Sequence, residues 1–362
     1  MKTILLNPGP VTLSDRVREA MLGPDLCHRE PEFAELQAEI RHGLLAVYQL
    51  SPADWAAVLL TGSGTAAVEA MLTSFVPRTG KVLVLENGIY GERIATICER
   101  HTIRFERLHH DWLQELDLAR IRTTLRGDPT ISHVAVAHHE TTTGRLNDLA
   151  PLASLCREHS TELLLDGVSS FGAEDINFKQ WPIAAVAATA NKCLHGVPGT
   201  CFVIARRNAL TAAQSPKRTI YLDLETYVEN QDKNGTPFTQ SVQTFYALAA
   251  ALSELATAGG WHTRRDIYRA RIMQVRNLLI RLGVRPLLRE GVSSCVLHAF
   301  ELPQGLSYGE FHDALKARGF VIYAGQSTLA AGIFRISMMG AISPQDVDRL
   351  CAAFEEIIAA AN

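Results

Sequence analysis

Short runs of apolar residues recur along the first two thirds of the chain, and helical patterns separate most of them. Six runs are predicted strands, at residues 57–60, 81–85, 133–138, 162–165, 183–188 and 201–205. They are apolar nearly throughout, so both faces of each strand are expected to be buried. Such strands, alternating with helices, indicate an α/β fold in which helices cover both faces of a sheet.

The pattern changes after about residue 245. Helices and short strands are predicted there at residues 246–258, 261–282, 295–300, 308–318, 320–323, 333–338 and from Ser343 onward. Ser307 and Glu310 have the spacing of a capping box at the start of the third of these helices. We therefore predict a large α/β domain at residues 15–250 and a smaller α+β domain at residues 251–362. Residues 1–14 are expected to pack near the functional site.

The composition excludes several classes of protein. The 362 residues carry a formal charge of -3 and the pI is near 6.5, which gives no attraction to nucleic acid or an anionic membrane. No apolar run is long enough to cross a bilayer, and the first residues are too short an apolar stretch for a signal peptide. Seven cysteines without a Cys-x-x-Cys pair argue against a disulfide framework or a zinc ribbon. We expect a cytoplasmic protein without a metal site.

A lysine and an aspartate follow two of the predicted strands. Lys192 comes just after the run at residues 183–188, and Asp166 ends the run at residues 162–165. An amine that can form a Schiff base and a carboxylate that keeps a pyridine nitrogen protonated are the minimum for holding pyridoxal phosphate. Taken alone the pair is weak support, because many surface lysines follow buried strands and Asp166 could pair with an ordinary arginine.

Residues 61–65, Thr-Gly-Ser-Gly-Thr, which we call the glycine loop, lie between a predicted strand and a predicted helix. The glycines let backbone amides turn toward an anion, and the helix start favours negative charge. The loop lacks both the Walker pattern and the Gly-x-Gly-x-x-Gly pattern, so a phosphate monoester suits it better than a nucleotide. A plain strand-to-helix turn is an equally good interpretation of this segment alone.

Three further polar side chains have plausible roles around such a cofactor. Tyr90 could lie flat on a pyridine ring, although a tyrosine near a strand end is more often packing. Thr141 could donate a hydrogen bond to a phenolate oxygen, or belong to a threonine-rich turn. Arg335 lies in a short apolar run, so it is either at an exposed edge or paired with an anion such as a carboxylate or phosphonate.

The positions of these residues strengthen the hypothesis. The glycine loop, Tyr90, Thr141, Asp166 and Lys192 each follow a successive predicted strand. In a doubly wound sheet, the carboxyl ends of the strands meet at one crevice, where ligands bind. We therefore expect all five to lie around one site.

The chain resembles the fold-type I, class V pyridoxal-phosphate-dependent aminotransferases over nearly its whole length. The similar segments are residues 7–10, 60–65, 67–70, 87–91, 128–133, 139–144, 166–172, 190–199 and 319–323. The most specific are Glu-Thr-Thr-Thr-Gly at 140–144 and the Asn-Lys-Cys and Gly-Val-Pro-Gly pieces within 190–199. The resemblance implies a mostly parallel seven-stranded sheet and a homodimer with the active site at the subunit interface.

The resemblance also implies roles for individual residues. The cofactor-binding set would be Ser63, Gly64, Thr65, Tyr90, Thr141, Asp166, Asn191, Lys192 and, completing the phosphate site, Thr239 of the partner subunit. Lys192 and Asp166 would be the catalytic pair. Arg335 would hold the acid end of the substrate, and Pro10 and Thr12 would also line the substrate site.

Within the family, the chain is most similar to enzymes that move an amino group from 2-aminoethylphosphonate to pyruvate in phosphonate catabolism. His28 and Arg29, which we also expect among the substrate-binding residues, depart from that pattern and look more like the alanine–glyoxylate and serine–pyruvate branch. Three alternatives to 2-aminoethylphosphonate transamination therefore stay open. They are a transaminase for a related aminophosphonate, an aminotransferase of the alanine–glyoxylate or serine–pyruvate type, and a pyridoxal-phosphate-dependent lyase such as a cysteine desulfurase. The last needs a reactive cysteine on a mobile loop, and none of the seven is expected in an exposed Gly/Ser-rich loop.

Overall fold

The computed structural model describes residues 3–213 and 216–361. Its strands are β1 Ile4–Leu5, β2 Trp55–Gly62, β3 Lys81–Glu86, β4 Phe105–His109, β5 Ile131–Ala137, β6 His139–Glu140, β7 Arg145–Leu146, β8 Glu162–Asp166, β9 Ile183–Thr189, β10 Gly199–Arg206, β11 Leu297–Glu301, β12 Phe320–Val321, β13 Tyr323–Ala324 and β14 Ile333–Ser337. Its α-helices are α1 Asp15–Ala20, α2 Pro31–Ala46, α3 Gly64–Phe75, α4 Ile89–Arg100, α5 Leu118–Gly127, α6 Leu149–Glu158, α7 Arg207–Ala212, α8 Leu224–Gln231, α9 Val242–Thr257, α10 Gly260–Arg281, α11 Tyr308–Ala317 and α12 Pro344–Ala361.

A seven-stranded sheet forms the centre of the molecule, in the order β2-β10-β9-β8-β5-β3-β4. The five strands from β9 to β4 are parallel, and only β10 runs antiparallel to both of its neighbours. The six predicted strands are all present in this sheet. The seventh, β4, lies at the edge and is only partly buried, so it has no continuous apolar run by which the sequence could reveal it.

Two apolar layers sandwich the sheet, because successive residues of a strand point to opposite faces. In β2, Leu59 packs in one layer, with residues of α2, α6 and α9, while Val58 and Leu60 pack in the other, with residues of α3 and α4. The inner strands are buried on both faces, whereas β4 at the edge is only partly buried. The expected α/β architecture with two covered faces is thus confirmed.

The C-terminal part has its own core. A three-stranded sheet, ordered β11-β14-β13, packs with α10, α11 and α12, and the short strand β1 pairs with β12. Ile4 and Leu6 are buried in this core, which joins the N-terminal segment to the C-terminal part. The predicted boundary between residues 250 and 251 falls inside α9 and stays a prediction.

The start of α11 has a complete side-chain cap. Ser307 and Glu310 form a complete capping box at the start of α11, as their spacing predicts. Among the described residues, no helix is long and apolar enough to cross a membrane, and no cluster of three or more His, Cys, Asp or Glu side chains could hold a metal ion.

Candidate active site

The carboxyl ends of five strands bring the predicted residues to one edge of the sheet. β3, β5, β8 and β9 are parallel, and β2 runs in the same direction because it and β9 are both antiparallel to β10. The segments that leave these ends carry Ser63, Tyr90, Thr141, Asp166 and Lys192. The sheet topology therefore gathers them at one edge, as expected for a doubly wound fold.

Lys192 lies under the N-terminal segment. Its ammonium donates a hydrogen bond to the carbonyl oxygen of Pro8. Gly9 has a φ of +112°, and a Cβ built there would lie 2.7 Å from Lys192 Cδ, so only glycine lets the chain pass this close. Burial lowers the pKa of Lys192 to about 8, although the charge of Asp166 acts in the opposite direction. The neighbouring Asn191 accepts a hydrogen bond at Oδ1 from the Thr189 hydroxyl at 2.8 Å.

Asp166 is a buried carboxylate, with 7% of its surface exposed. Its Oδ1 accepts a hydrogen bond from the Val168 amide at 3.0 Å, and within the described chain no arginine or lysine forms an ion pair with it. Burial raises its pKa to about 6, against the hydrogen bond from Val168 and the positive charges of Arg93 and Lys192. Arg93 thus acts on Asp166 through its charge and not through an ion pair, and the pairing of Asp166 with a ring nitrogen stays a prediction.

The glycine loop forms the start of α3. Ser63 is the N-cap residue, yet no described side chain hydrogen-bonds to the first amides of this helix. A Cβ on Gly64 would lie 2.8 Å from Val168 Cγ1, so the loop packs directly on the segment that follows Asp166. Free amides at a helix start favour an anion. Thr65 adds a hydroxyl that accepts a hydrogen bond from Arg93 Nη1 at 3.4 Å.

Arg93 is absent from the residues predicted from the sequence. Its guanidinium lies 4.7 Å from the centre of the Tyr90 ring, in a cation–π arrangement. Both residues are on α4, and their i, i+3 spacing puts them on one face of the helix. That spacing was visible in the sequence, but only the fold shows that the face points at the glycine loop.

Thr141 and Arg335 meet although 194 residues separate them. Arg335 is 1% exposed and lies on the middle strand of the C-terminal sheet, so the exposed-edge alternative is wrong. Its Nη1 donates to Thr141 O at 2.9 Å and to Gln326 Oε1 at 3.1 Å, and its Nε donates to Ala324 O at 2.8 Å. These neutral partners leave the Nη2 hydrogens and the positive charge available to an anion. Thr141 Oγ1 is buried without a partner.

Other predicted residues have different surroundings. Pro10 is exposed, and the Thr12 hydroxyl accepts a hydrogen bond from the Leu5 amide at 2.8 Å. His28 is half-buried and Arg29 exposed, in the loop between α1 and α2. Within the described residues, no hydrogen bond or ion pair joins either of these two to the residues at the sheet edge. Their substrate roles stay predictions.

Thr239 is exposed, in the segment before α9. Its neighbour Gln240 accepts a hydrogen bond from the Thr61 hydroxyl at 2.9 Å, so this segment lies beside the end of β2. A contribution of Thr239 to the site of a second subunit stays a prediction. Among the cysteines, Cys27 is exposed, in a loop that is not rich in glycine or serine.

The residues present are suited to hold pyridoxal phosphate. A buried hydroxyl without a partner, such as Thr141 Oγ1, is uncommon in proteins and indicates a missing partner, which the phenolic oxygen of the cofactor would provide. The free oxygen of Asp166 would face the ring nitrogen, and the uncapped start of α3 would take the phosphate. Lys192 supplies the amine. Among the described residues, Thr141 Oγ1 has no hydrogen-bond partner and the start of α3 has no side-chain cap, and the cofactor would supply both.

Comparisons with known proteins agree with this geometry. The family model for class V aminotransferases matches residues 25–350. Relatives named 2-aminoethylphosphonate–pyruvate transaminase from Vibrio cholerae and Pseudomonas putida are 37% and 36% identical to the chain. Each alignment covers 98% of this chain, and 97% and 96% of the respective relative.

Solved structures show the same fold. An aspartate aminotransferase of subgroup IV from Thermus thermophilus superimposes with a TM-score of 0.90 and 27% identity, covering 99% of this chain and 100% of the other. An alanine–glyoxylate aminotransferase from Nostoc sp. gives a TM-score of 0.90 and 25% identity, covering 99% and 96%. These matches confirm the expected fold-type I architecture and the expected cofactor, pyridoxal phosphate, and the chain thus belongs to the class V aminotransferase family.

Proposed function

We propose that the chain transfers the amino group of 2-aminoethylphosphonate to pyruvate, giving phosphonoacetaldehyde and alanine. The observation that carries this proposal is the buried Arg335, which has only neutral partners and lies beside Thr141 at the same edge as Lys192. Curated relatives that share over a third of its residues, along almost its whole length, are named for this reaction. When bound, pyridoxal phosphate supplies the electron sink that stabilises negative charge on the substrate carbon.

Lys192 is the proposed acid and base. With a pKa of about 8, about a tenth of its amine is neutral at pH 7, whereas an ordinary lysine would be almost wholly charged. A neutral Nζ can accept a proton from the substrate carbon, and the charged form can then return it. Burial is the main cause of the shift, so the N-terminal segment that covers the side chain contributes to the reactivity of Lys192.

Four other parts of the chain would hold the cofactor. Asp166 would keep a proton on the ring nitrogen, since a buried carboxylate gains a compensating positive charge there. Thr141 Oγ1 would donate to the phenolic oxygen, and Tyr90 would stack on the ring. The phosphate would bind at the glycine loop, where Arg93 Nη1 already reaches the hydroxyl of Thr65.

Arg335 is the proposed anion-binding residue for both substrates. The amino donor carries a phosphonate, whereas pyruvate carries a carboxylate, so one cation has to accept each in turn. The planar guanidinium presents donors to oxygens of either group. The bonds from Arg335 to Ala324 and Thr141 fix the plane of the guanidinium before the substrate arrives.

We further propose a homodimer in which Thr239 of the partner subunit completes the phosphate site. Support comes from the position of Thr239, which is exposed and next to Gln240, whose side chain bonds to Thr61 at the end of β2. An exposed hydroxyl beside the glycine loop is accessible to a second subunit. A cytoplasmic location stays a prediction from the sequence.

The substrate is tested by single half-reactions. Holoenzyme is mixed separately with 2-aminoethylphosphonate, alanine and serine, and the change of the visible absorbance of the bound cofactor is followed. Rapid conversion by 2-aminoethylphosphonate, with phosphonoacetaldehyde trapped as product, supports the proposal. Conversion by alanine or serine only would instead place the chain with the alanine–glyoxylate or serine–pyruvate enzymes. An Arg335→Ala variant is the control, since it should lose the response to the anionic donors while retaining the cofactor.

A further inference from the structure

Glu140 is a buried carboxylate for which the proposed reaction has no role. Its side chain is completely inaccessible to solvent. In the described chain it forms no ion pair, yet both of its oxygens are hydrogen-bonded. Oε2 accepts from the amides of Tyr90 at 3.1 Å and Gly91 at 3.4 Å, and Oε1 accepts from the amide and hydroxyl of Thr142 at 3.2 and 2.6 Å. Such a group is stable when buried only because four donors surround it.

These bonds close the start of α4. The N-cap residue of this helix is Gly88, which has no side chain, and a Cβ there would lie 2.2 Å from Glu140 Cδ. Glu140 therefore occupies the space of a normal N-cap side chain. Thr142 Oγ1 completes the arrangement by accepting from the amide of Ile89 at 3.2 Å. A negative charge at this end of the helix also interacts favourably with the helix dipole.

The position of the cap connects two parts of the cofactor site. The carboxylate of Glu140 holds the backbone of Tyr90, the proposed stacking residue, at the start of α4, the helix that also carries Arg93. Its own backbone continues directly into Thr141, whose unpartnered hydroxyl is the proposed donor to the phenolic oxygen. One side chain thus joins the residue that would lie on the face of the ring to the residue that would lie at its edge.

We propose that Glu140 is a positioning residue that fixes Tyr90 and Thr141 relative to each other and so sets the orientation of the cofactor ring. The proposal rests on the proposed roles of these two residues in holding pyridoxal phosphate. The opposing electrostatic effects are large, since burial raises the pKa of Glu140 to about 7 while the hydrogen bonds from Thr142 and Tyr90 favour the ionised form. An amide cannot accept all four bonds, because its NH₂ group would face backbone amides.

The test is Glu140→Gln, with Glu92→Gln as the matched control. Glu92 is on the first turn of the same helix but bonds to the Trp112 indole at 3.3 Å, away from the site. In the apoprotein, amide hydrogen exchange at residues 89–91 should be about tenfold faster or more in Glu140→Gln, as expected for the loss of hydrogen bonds to a charged acceptor. Pyridoxal phosphate should bind about tenfold more weakly, and the visible circular dichroism of the bound cofactor should change in shape.

Two results would overturn the proposal. One is wild-type exchange at residues 89–91 in Glu140→Gln. The other is faster exchange with unchanged cofactor affinity and circular dichroism, which would make Glu140 a structural cap only. If Glu140→Gln does not fold, Thr142→Val is measured in the same way. That substitution removes the acceptor of the Ile89 amide and the hydroxyl that donates to Glu140. No readout uses an amino donor, so a wild-type enzyme that fails to convert 2-aminoethylphosphonate would contradict the proposed substrate and leave this test intact.

Discussion

Replacing Asp166 with asparagine should make the apoprotein more stable although it removes a residue of the active site. The side chain is 7% exposed, and its only hydrogen bond within the described chain, from the Val168 amide to Oδ1, can be accepted equally well by an asparagine oxygen. The substitution therefore keeps the shape and the hydrogen bond and removes only the charge. What it changes is the free energy of holding an ionised carboxylate in a buried place.

The magnitude follows from the pKa of Asp166, which burial raises from 3.8 to about 6. A raised pKa means that folding favours the protonated form. The destabilisation is therefore absent below the unfolded pKa, grows as the pH rises, and is complete above the folded pKa. A difference of about two units corresponds to about 3 kcal/mol at pH 8, and about half of this remains at pH 5. Asp166→Asn should gain up to that amount.

Urea unfolding of the two apoproteins at pH 8 and pH 5 measures the difference. We expect the variant to be more stable at both values, with the larger gain at pH 8, and to lose transaminase activity. A variant that is less stable than the wild type at pH 8, or a gain that does not depend on pH, would refute the reasoning. Saturating pyridoxal phosphate should reverse the order, because the wild-type carboxylate then gains a cationic partner.

Three other substitutions test the site. Arg335→Lys should lower kcat/KM for 2-aminoethylphosphonate by about 100-fold in steady-state assays, because an ammonium cannot replace a fixed planar donor. Gly9→Ala should lower the free energy of unfolding by about 1–3 kcal/mol, since its φ is +112° and a Cβ would lie 2.7 Å from Lys192 Cδ. Gly291→Ala, where a Cβ meets no atom within 4 Å, is its control and should leave urea unfolding unchanged. Thr141→Val should weaken pyridoxal phosphate binding about tenfold in equilibrium dialysis and leave the apoprotein as stable as the wild type, because the lost hydroxyl has no partner there.

The main sheet could be predicted because its inner strands are buried on both faces and so are apolar without interruption. β4 could not, since an edge strand with exposed side chains has no such pattern. The start of α4 at Ile89 could not be predicted from local sequence either. Its first amides are held by a side chain about fifty residues further along the sequence, which no local capping signal shows.

The residues of the site divide in the same way. Asp166 and Lys192 are recognisable because each follows an apolar run and the ends of parallel strands converge. Glu140 was visible only as part of a threonine-rich turn, since its function depends on contacts made in three dimensions. Arg335 posed the opposite difficulty, because a charge in a short apolar run is compatible with an exposed edge. Only its position on a middle strand decides between the two alternatives.

The buried charges of the site also predict how cofactor and stability are coupled. Burial shifts the pKa of Asp166 and Glu140 upward and that of Lys192 downward. The folded apoprotein therefore disfavours the charged form of each of these groups. A ligand that places a cation beside Asp166 relieves part of this destabilisation, and the relief exists only where Asp166 is ionised. The stabilisation that pyridoxal phosphate gives to the fold should therefore increase as the pH rises through about 6. In Asp166→Asn this pH dependence should disappear, which separates the charge effect from simple filling of the cleft.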